Sequence, residues 1–302
     1  MTDFAEKILA RDTRALARAA TWIEDRRPEG EALLQELFPH TGRALVWGVT
    51  GPPGAGKSTL CDQLAAAVRA EGKTAGIIAV DPTSPFSGGA LLGDRVRMQR
   101  HHADPGVFIR SMATRGWLGG LARATFETTL VLDAAGFDVI LVETVGAGQD
   151  EVEIARVADV TVVVLVPGMG DDVQAIKAGM MEIAQVFVIN KSDLPGADRL
   201  ERELKAYLSL SHRPENTSPQ IVAAVAKDGK GIVETLSAVR DVASQASSLS
   251  HKAEIWSARL REMYRERVLD RIPPEQFAAC GREVAERRRD PYSILNEWLG
   301  KY

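Results

Sequence analysis

The sequence predicts a three-layer α/β fold with a mostly parallel sheet and helical extensions at its N- and C-terminal ends. The first observation is that short β-branched or apolar runs alternate with helical patterns from residue 43 to about residue 243. Such alternation is typical of parallel strands joined by helical crossovers. The second is that runs such as residues 160–166 are apolar on both faces, as expected of strands covered by helices on each side.

The chain divides into three predicted parts. Residues 1–40 form an N-terminal helical segment, in which Pro28 and Gly30 are expected to break the helical run before residues 31–38 resume it. Residues 41–245 form the α/β domain, and residues 246–302 carry only helical patterns after a Ser-rich stretch. This last part is too small to be an independent enzyme, so it is expected to be an interaction element. The predicted strands cover residues 44–49, 74–80, 106–110, 137–142, 160–166, 186–189 and 220–224.

Composition excludes several classes of protein. The 302 residues are 45% hydrophobic and 26% charged, and the formal net charge is −4, which gives no electrostatic reason to expect nucleic acid as a partner. No apolar run is long enough to span a bilayer, and the first 20 residues lack the apolar core of a secretion signal. The two cysteines, Cys61 and Cys280, are far apart and predict no disulfide framework. The expected location is the cytoplasm.

A Gly-rich loop, GPPGAGKS at residues 51–58, lies between the first predicted strand and a helical pattern over residues 59–69. Glycines allow successive backbone N–H groups to turn towards phosphate oxygens, next to the positive end of the helix. Lys57 would reach the β- and γ-phosphates, and the Ser58 hydroxyl would ligate Mg²⁺. The sequence therefore predicts a P-loop NTPase fold whose phosphate contacts come from Gly51, Pro52, Pro53, Gly54, Ala55, Gly56, Lys57, Ser58 and Thr59.

Three acidic residues are candidates to hold the metal with Ser58. Asp81 ends the second predicted strand, Asp94 closes the long segment after it, and Glu143 ends the fourth. Mg²⁺ prefers carboxylate oxygens and keeps part of its hydration shell, so the predicted metal site is Ser58, Asp81, Asp94 and Glu143. For Asp94, an N-cap of the following helical run is the alternative.

Glu143 occupies the position of a Walker B acid, and the turn after it is a candidate nucleotide-sensing switch. Gly146 could donate its N–H to the γ-phosphate, so residues 147–150 would respond to that phosphate. Gln149 could orient the attacking water or cap a helix, and the sequence leaves both open. The predicted catalytic set is Lys57, Glu143 and Asp94.

The sixth predicted strand runs into Asn190-Lys191-Ser192-Asp193, which is the N-K-x-D arrangement that reads guanine. The Asp193 carboxylate can accept from guanine N1–H and the exocyclic amine, whereas adenine offers neither donor. The Lys191 stem can lie over the base, and Asn190 can tie this loop to the phosphate loop. GTP or GDP is therefore the expected nucleotide.

Two further features leave alternatives open. The Gly- and Asp-rich segment 167–172 contains Asp171 and leads into a helical pattern on which Lys177 lies on the exposed side. Lys177 is either a solvated lysine or a relay between the nucleotide and a partner. The pair His101-His102 could suggest a metal, but without a nearby cysteine cluster a surface helix end is the preferred interpretation.

Taken together, the chain resembles the MeaB/ArgK family of P-loop GTPases. The resemblance is dense over residues 40–245 and rests on long motifs: GPPGAGKST, VDPTSPFSGGALLGDRVRM, RSMATRGWLGGLA, ILVETVGAGQDE, PGMGDDVQAIKAGMMEIA and NKSD. It implies a homodimer that converts GTP and water to GDP and phosphate, with residues 246–302 as the dimerisation segment.

The resemblance also implies a partner. Such GTPases gate the loading of adenosylcobalamin into a B12-dependent acyl-CoA mutase, usually methylmalonyl-CoA mutase, and protect that enzyme from inactivation. The family's Mg²⁺-linked acids match Asp81, Asp94 and Glu143, and the lysine of its third switch matches Lys177. Coupling to the partner is therefore expected to involve Gln149, Asp171 and Lys177.

Three alternatives remain at this point. A nickel-insertion GTPase shares the same core but needs a Cys/His metal site. An ArgK-type kinase of a periplasmic amino-acid-binding protein would transfer phosphate to a protein rather than to water. A nucleotide-dependent scaffold that does not hydrolyse GTP would differ only in its turnover.

Overall fold

The computed structural model describes residues 1–81, 98–101, 103–113, 120–144, 153–168, 178–210, 218–246 and 249–301. The chain divides into two compact units, Met1–Ala246 and Ser247–Tyr302. The first unit contains the sheet, and the second unit is helical.

The described part of the first unit contains a seven-stranded sheet in which every pairing is parallel. Its strands are β1 (Leu45–Thr50), β2 (Ala75–Asp81), β3 (Val107–Ala113), β4 (Val139–Glu143), β5 (Val160–Leu165), β6 (Val186–Ile189) and β7 (Gln220–Ala223). They are ordered β3-β2-β4-β1-β5-β6-β7. Because all of them run in one direction, their carboxyl ends meet at the same edge, where ligands bind in folds of this kind.

The helices of the first unit precede the sheet or connect its strands. They are α1 (Asp3–Leu9), α2 (Thr13–Glu24), α3 (Pro28–Leu37), α4 (Lys57–Ala70), α5 (Gly120–Ala134), α6 (Ala178–Ile183), α7 (Ala197–Leu210) and α8 (Ile232–Ala246). Short 3₁₀ turns lie at Phe38–His40, Gln99–His101, Ile154–Arg156 and Ala226–Asp228.

Both faces of the sheet are buried. On one face, Val162 and Val164 of β5 share an apolar cluster with α4 and α8; on the other, Val163 and Leu165 pack with α6 and α7. Leu132 of α5 also lies on this second face, against β2 and β4. Helices therefore cover the sheet on each side, and the predicted three-layer fold is confirmed.

The N-terminal helices pack on α5 and on the edge strand β3. Arg110 of β3 pairs with Glu24 of α2 and donates to the Thr21 hydroxyl at 3.1 Å. The predicted interruption of the helical run is confirmed at Pro28, because α2 ends at Glu24 and α3 begins at Pro28, and it is wrong at Gly30. Pro28 begins α3, where a missing N–H costs nothing, and Gly30 lies inside α3, close to the backbone of Trp22.

The second unit consists of α9 (Leu249–Leu269), α10 (Pro274–Ala285) and α11 (Pro291–Lys301). A small core forms around Ile272, Ile294 and Trp298, and the Trp298 ring meets Phe277 edge-on with centroids 4.9 Å apart. Among the described residues of the whole chain, no helix combines the length and the apolar character needed to cross a membrane.

The predicted strands match the observed ones to within three residues at each end. The helix after the phosphate loop begins at Lys57 rather than at residue 59. This two-residue shift makes Lys57 and Ser58 the first residues of α4 and fixes their backbone directions.

Candidate guanine-nucleotide site

The phosphate loop follows β1, the central strand of the sheet, and requires glycine at two positions. Gly51 has φ +139°, and a Cβ there would lie 2.2 Å from the carbonyl oxygen of Val164 on β5. Gly56 has φ +87°, and its Cβ would lie 2.4 Å from Nδ2 of Asn190. Both residues adopt a backbone region that L side chains rarely occupy, so the loop can pass close to β5 and to Asn190 only with glycine.

Lys57 is the first residue of α4 and is 5% exposed. Its Nζ donates to the carbonyls of Gly51 at 2.8 Å and Pro52 at 3.1 Å. The ammonium group is therefore held inside the curve of the phosphate loop, beside the positive end of the helix. Both features attract an anion to this loop.

Ser58 and Glu143 join α4 to the end of β4. The Ser58 hydroxyl donates to Oε1 of Glu143 at 2.6 Å, and both residues are buried. Sequence analysis placed these two residues in one metal site, and the structure brings them into direct contact. Hydroxyl and carboxylate oxygens are the donor types that Mg²⁺ prefers.

Asn190 connects the loop after β6 to two other loops. It is 3% exposed. Its Nδ2 donates to the carbonyl of Ala55 in the phosphate loop at 2.8 Å, and its Oδ1 accepts from the Ala226 N–H after β7 at 3.0 Å. The contact between Asn190 and the phosphate loop agrees with the expectation from the N-K-x-D motif.

Lys191 makes a second connection to the phosphate loop. It adopts a left-handed backbone with φ 55°, and its Nζ donates to the carbonyl of Gly54 at 2.9 Å. A non-glycine residue with positive φ is uncommon and is held in place by its surroundings. Here those surroundings include the Ser192 N–H, which donates to the carbonyl of Ala224 at 3.0 Å.

A pocket of about 240 Å³ opens between these loops. It includes Asp193, whose carboxylate lies 3.7 Å from the Lys227 ammonium. The strand order places β6 two positions from β1, which is roughly 10 Å at a strand spacing of about 4.8 Å. A nucleotide could therefore place its base in this pocket and its phosphates at the loop. The pocket is lined by Gly56, Thr59, Asn190, Lys191, Asp193, Leu194, Val225, Ala226 and Lys227.

Sequence analysis did not predict the contribution of the loop after β7. Val225, Ala226 and Lys227 all line the pocket, and the Ala226 N–H holds Asn190. The sequence did contain a signal for this loop: a strand was predicted over residues 220–224, and ligand sites lie at the carboxyl ends of parallel strands.

Several predicted site residues lie outside the described residues. They are Asp94, Gly146, Gln149, Asp171 and Lys177. Asp81 is the last residue of β2, at the same edge of the sheet as Glu143. The described site therefore consists of the phosphate loop, Ser58, Glu143 and the base pocket.

The predicted surface location of His101 is wrong. His101 is 6% exposed, and its Nε2 lies 3.1 Å from Oδ1 of Asp62 on α4. Asp62 also pairs with Arg100 at 2.7 Å. In the part of the chain that the structure describes, no three His, Cys, Asp or Glu side chains come together as a metal site would require. His102 lies outside that part.

A phosphate loop and an N-K-x-D pocket at one edge of a parallel sheet define a P-loop GTPase. The chain matches the family described as "Methylmalonyl Co-A mutase-associated GTPase MeaB" over residues 16–279, and it belongs to that family. The resemblance found in the sequence motifs is thereby confirmed. The protein is accordingly a GTPase that binds GTP and GDP.

Three similar proteins illustrate the family. A Pyrococcus abyssi protein named as a GTPase is 47% identical over 99% of this chain and 97% of its own. The mouse protein named "Methylmalonic aciduria type A homolog, mitochondrial" is 35% identical over 80% of this chain and 65% of its own. A crystal structure titled as a LAO/AO transport system kinase superposes with a TM-score of 0.74 at 30% identity, covering 99% of this chain and 96% of that one.

Proposed function

We propose that this GTPase is a chaperone of an adenosylcobalamin-dependent acyl-CoA mutase, and that methylmalonyl-CoA mutase is its client. In this proposal, it gates the loading of the cofactor into the mutase and protects the mutase from inactivation. The observation that carries the proposal is the family itself, whose description names association with methylmalonyl-CoA mutase. The name of the mouse relative refers to methylmalonic aciduria, which supports the same client.

The nucleotide is proposed to bind across two loops. Its phosphates would accept hydrogen bonds from backbone N–H groups of residues 54–59 and from the Lys57 ammonium. Lys57 would exchange its bonds to two loop carbonyls for bonds to phosphate oxygens. Its guanine would lie in the pocket beside Lys191, with N1–H and the amine donating to Asp193. Adenine would leave the Asp193 carboxylate without these donors, and this loss is the proposed basis of selectivity.

The contact between Ser58 and Glu143 supports a Mg²⁺ site. Two oxygen ligands 2.6 Å apart at the base of the phosphate loop fit a hard cation, with Asp81 and Asp94 proposed as the further acids. When bound, Mg²⁺ would neutralise charge that develops on the β- and γ-phosphates during hydrolysis. Glu143 would orient the ion or one of its waters, and Ser58 would give up its hydrogen bond to Glu143 and turn its oxygen to the ion.

Coupling to the mutase requires that GTP and GDP favour different arrangements of the loops. Asn190 and Lys191 bond the base loop to carbonyls of the phosphate loop, so a shift at either loop changes the position of the other. Gly146 is proposed to sense the γ-phosphate, and Gln149, Asp171 and Lys177 are proposed to pass the change to the partner.

The second unit is proposed to hold two copies of the chain together. On α11, Tyr292, Leu295 and Leu299 lie three and four residues apart and are 76%, 50% and 73% exposed, which places a row of apolar side chains along one face of the helix. A second copy would cover this row. The cytoplasm is the proposed location, and Cys61 and Cys280, neither of which is in a disulfide, are consistent with its reducing conditions.

A reconstituted mixture with methylmalonyl-CoA mutase tests the chaperone function. The purified chain, the apo-mutase and adenosylcobalamin are combined with GTP, with GDP or without nucleotide, and both GTP turnover and cofactor loading are recorded. We expect the mutase to increase GTP turnover and the loading to differ between GTP and GDP. A turnover unchanged by the mutase, together with nucleotide-independent loading, would contradict the proposal.

The same preparation separates the alternatives. Incubation with GTP labelled at the γ-phosphate and a periplasmic amino-acid-binding protein would leave label on that protein if the chain were a kinase. Tight stoichiometric binding of nickel in a titration would favour metal insertion. Lys57→Ala is the matched control in each assay, because loss of its ammonium removes the phosphate contact without enlarging the base pocket.

A further inference from the structure

Two buried threonines connect the strands that carry the phosphate loop and Glu143. Thr50 is the last residue of β1 and directly precedes Gly51, and Thr144 directly follows Glu143, the last residue of β4. The Thr144 hydroxyl donates to the Thr50 hydroxyl at 2.9 Å. Thr50 is 0% exposed and Thr144 is 3% exposed, so this hydrogen bond does not compete with bulk water.

The hydroxyl pair is the second of two side-chain bridges at this point. Val49 pairs with Glu143 across the two strands, and Val49 and Leu141 face the apolar cluster that contains α4. Because side chains alternate between the faces of a strand, Thr50 points to the opposite face. The bridge from Ser58 to Glu143 thus joins β4 to α4 on one face, and the threonine bridge joins β4 to β1 on the other.

The strand pairing of Val49 with Glu143 is extended at this junction by a backbone hydrogen bond from the Thr144 N–H to the carbonyl of Val49 at 3.0 Å. The hydroxyl bond adds a second fixed point one residue further along β1. A valine pair would fill the same volume but would lack the directional hydrogen bond. The threonine hydroxyls can therefore fix the spacing of β1 and β4 here in a way that valine and isoleucine side chains cannot.

We propose that Thr50 and Thr144 are positioning residues for GTP hydrolysis. They hold Glu143, at the end of β4, at a fixed separation from the phosphate loop. This inference rests on the roles proposed for Ser58 and Glu143 above. The threonines are proposed to act through those groups, since their hydroxyls bond each other.

Four variants test the pair: Thr50→Val, Thr144→Val, the double Val variant and Thr144→Ser. The readouts are kcat and KM for GTP, the Kd of GDP and the melting temperature. A single Val variant leaves one buried hydroxyl without its partner, whereas the double variant replaces both by apolar groups of the same shape, which is nearly neutral for stability. The double variant thus separates positioning from stability.

We expect each Val variant, including the double, to lower kcat by about tenfold, which is about 1.4 kcal/mol of transition-state stabilisation. KM and the Kd of GDP should stay within twofold of wild type, the melting temperature should recover in the double variant, and Thr144→Ser should retain wild-type kcat. Thr128→Val is the matched control. It removes a buried hydroxyl bound to the carbonyl of Ala124 at 2.7 Å on α5 and should lower stability without changing kcat.

Recovery of wild-type kcat in the double variant would show that the pair only packs, and would overturn the inference. Equal loss in Thr144→Ser would overturn it as well, because serine keeps the hydroxyl. A failure of the site assignment would give a different result: Glu143→Gln or Ser58→Ala, with Thr50 and Thr144 unchanged, would hydrolyse GTP at the wild-type rate.

Discussion

Asn190→Ala removes both side-chain hydrogen bonds of Asn190, which join the base loop to two neighbouring loops. The carbonyl of Ala55 loses its donor at 2.8 Å, and the N–H of Ala226 loses its acceptor at 3.0 Å. Ala55 and Ala226 are 0% and 1% exposed, so water replaces neither partner without rearrangement. Each unsatisfied buried group costs about 1–3 kcal/mol.

This loss should weaken nucleotide binding, because a bound nucleotide requires the phosphate loop and the base loop to be correctly placed relative to each other. The free protein can relax by separating the loops. The lower end of the two costs together is about 2 kcal/mol, which corresponds to roughly a 30-fold weaker Kd. GTP and GDP should be affected equally, since Asn190 contacts neither the γ-phosphate nor the proposed metal ligands.

Isothermal titration with GTP and with GDP in magnesium buffer measures this effect. Asn190→Asp provides a graded variant, because its carboxylate still accepts from Ala226 but cannot donate to Ala55. Gln185→Ala is the matched control. Its side-chain oxygen accepts from the Thr161 N–H at 2.9 Å at the opposite edge of the sheet, so nucleotide affinity should not change. A Kd for Asn190→Ala within twofold of wild type would refute the reasoning.

Three further predictions follow from other contacts. Asp193→Asn should weaken GTP binding by at least tenfold and favour xanthosine nucleotides, whose O2 can accept from the new amide; an unchanged guanine preference in a competition assay would contradict this. Lys57→Ala should abolish GTP turnover, and turnover near the wild-type rate would remove the phosphate-loop assignment. Arg69 donates to the Asp104 carboxylate at 2.8 Å, and this bond together with the Gly106 N–H lowers the pKa of Asp104 below its ordinary 3.8. A lowered pKa stabilises the fold above pH 3.8, and this contribution is lost as the pH falls through the lowered pKa. Asp104→Asn should therefore lower the free energy of unfolding by about 1 kcal/mol at pH 7, with a difference from wild type in urea titrations that shrinks in acid; a constant difference down to pH 2 would argue against the pair.

The sheet and the phosphate loop could be predicted because their signals are local. A buried parallel strand is apolar on both faces, and the phosphate loop needs glycine at fixed positions, so both leave direct patterns in the sequence. The contact of Ser58 with Glu143 could also be expected, since two motifs of known role meet at one edge of one sheet.

The features that sequence analysis missed depend on contacts between distant segments. Residues 225–227 have no distinctive pattern, and their role follows from the position of β7 beside β6. His101 is buried beside Asp62, 39 positions earlier: its Nε2 lies 3.1 Å from Oδ1 of Asp62, which also pairs with Arg100. Gly30 was expected to break the helical run because glycine is unfavourable inside a helix, but it lies within α3, close to the backbone of Trp22 on α2.

The central proposal is that the loops after β6 and β7, including Asp193, bind guanine while the phosphates lie at residues 51–58. One measurement tests this proposal directly. Competitive titration of the wild-type chain with GTP and ATP in magnesium buffer compares the two bases at one site. One nucleotide per chain is expected, with a GTP affinity at least 100-fold above that for ATP. Guanine can donate two hydrogen bonds to the Asp193 carboxylate that adenine cannot, and hydrogen bonds to charged groups contribute about 1.5–3 kcal/mol each. Equal affinities for GTP and ATP would contradict this proposal.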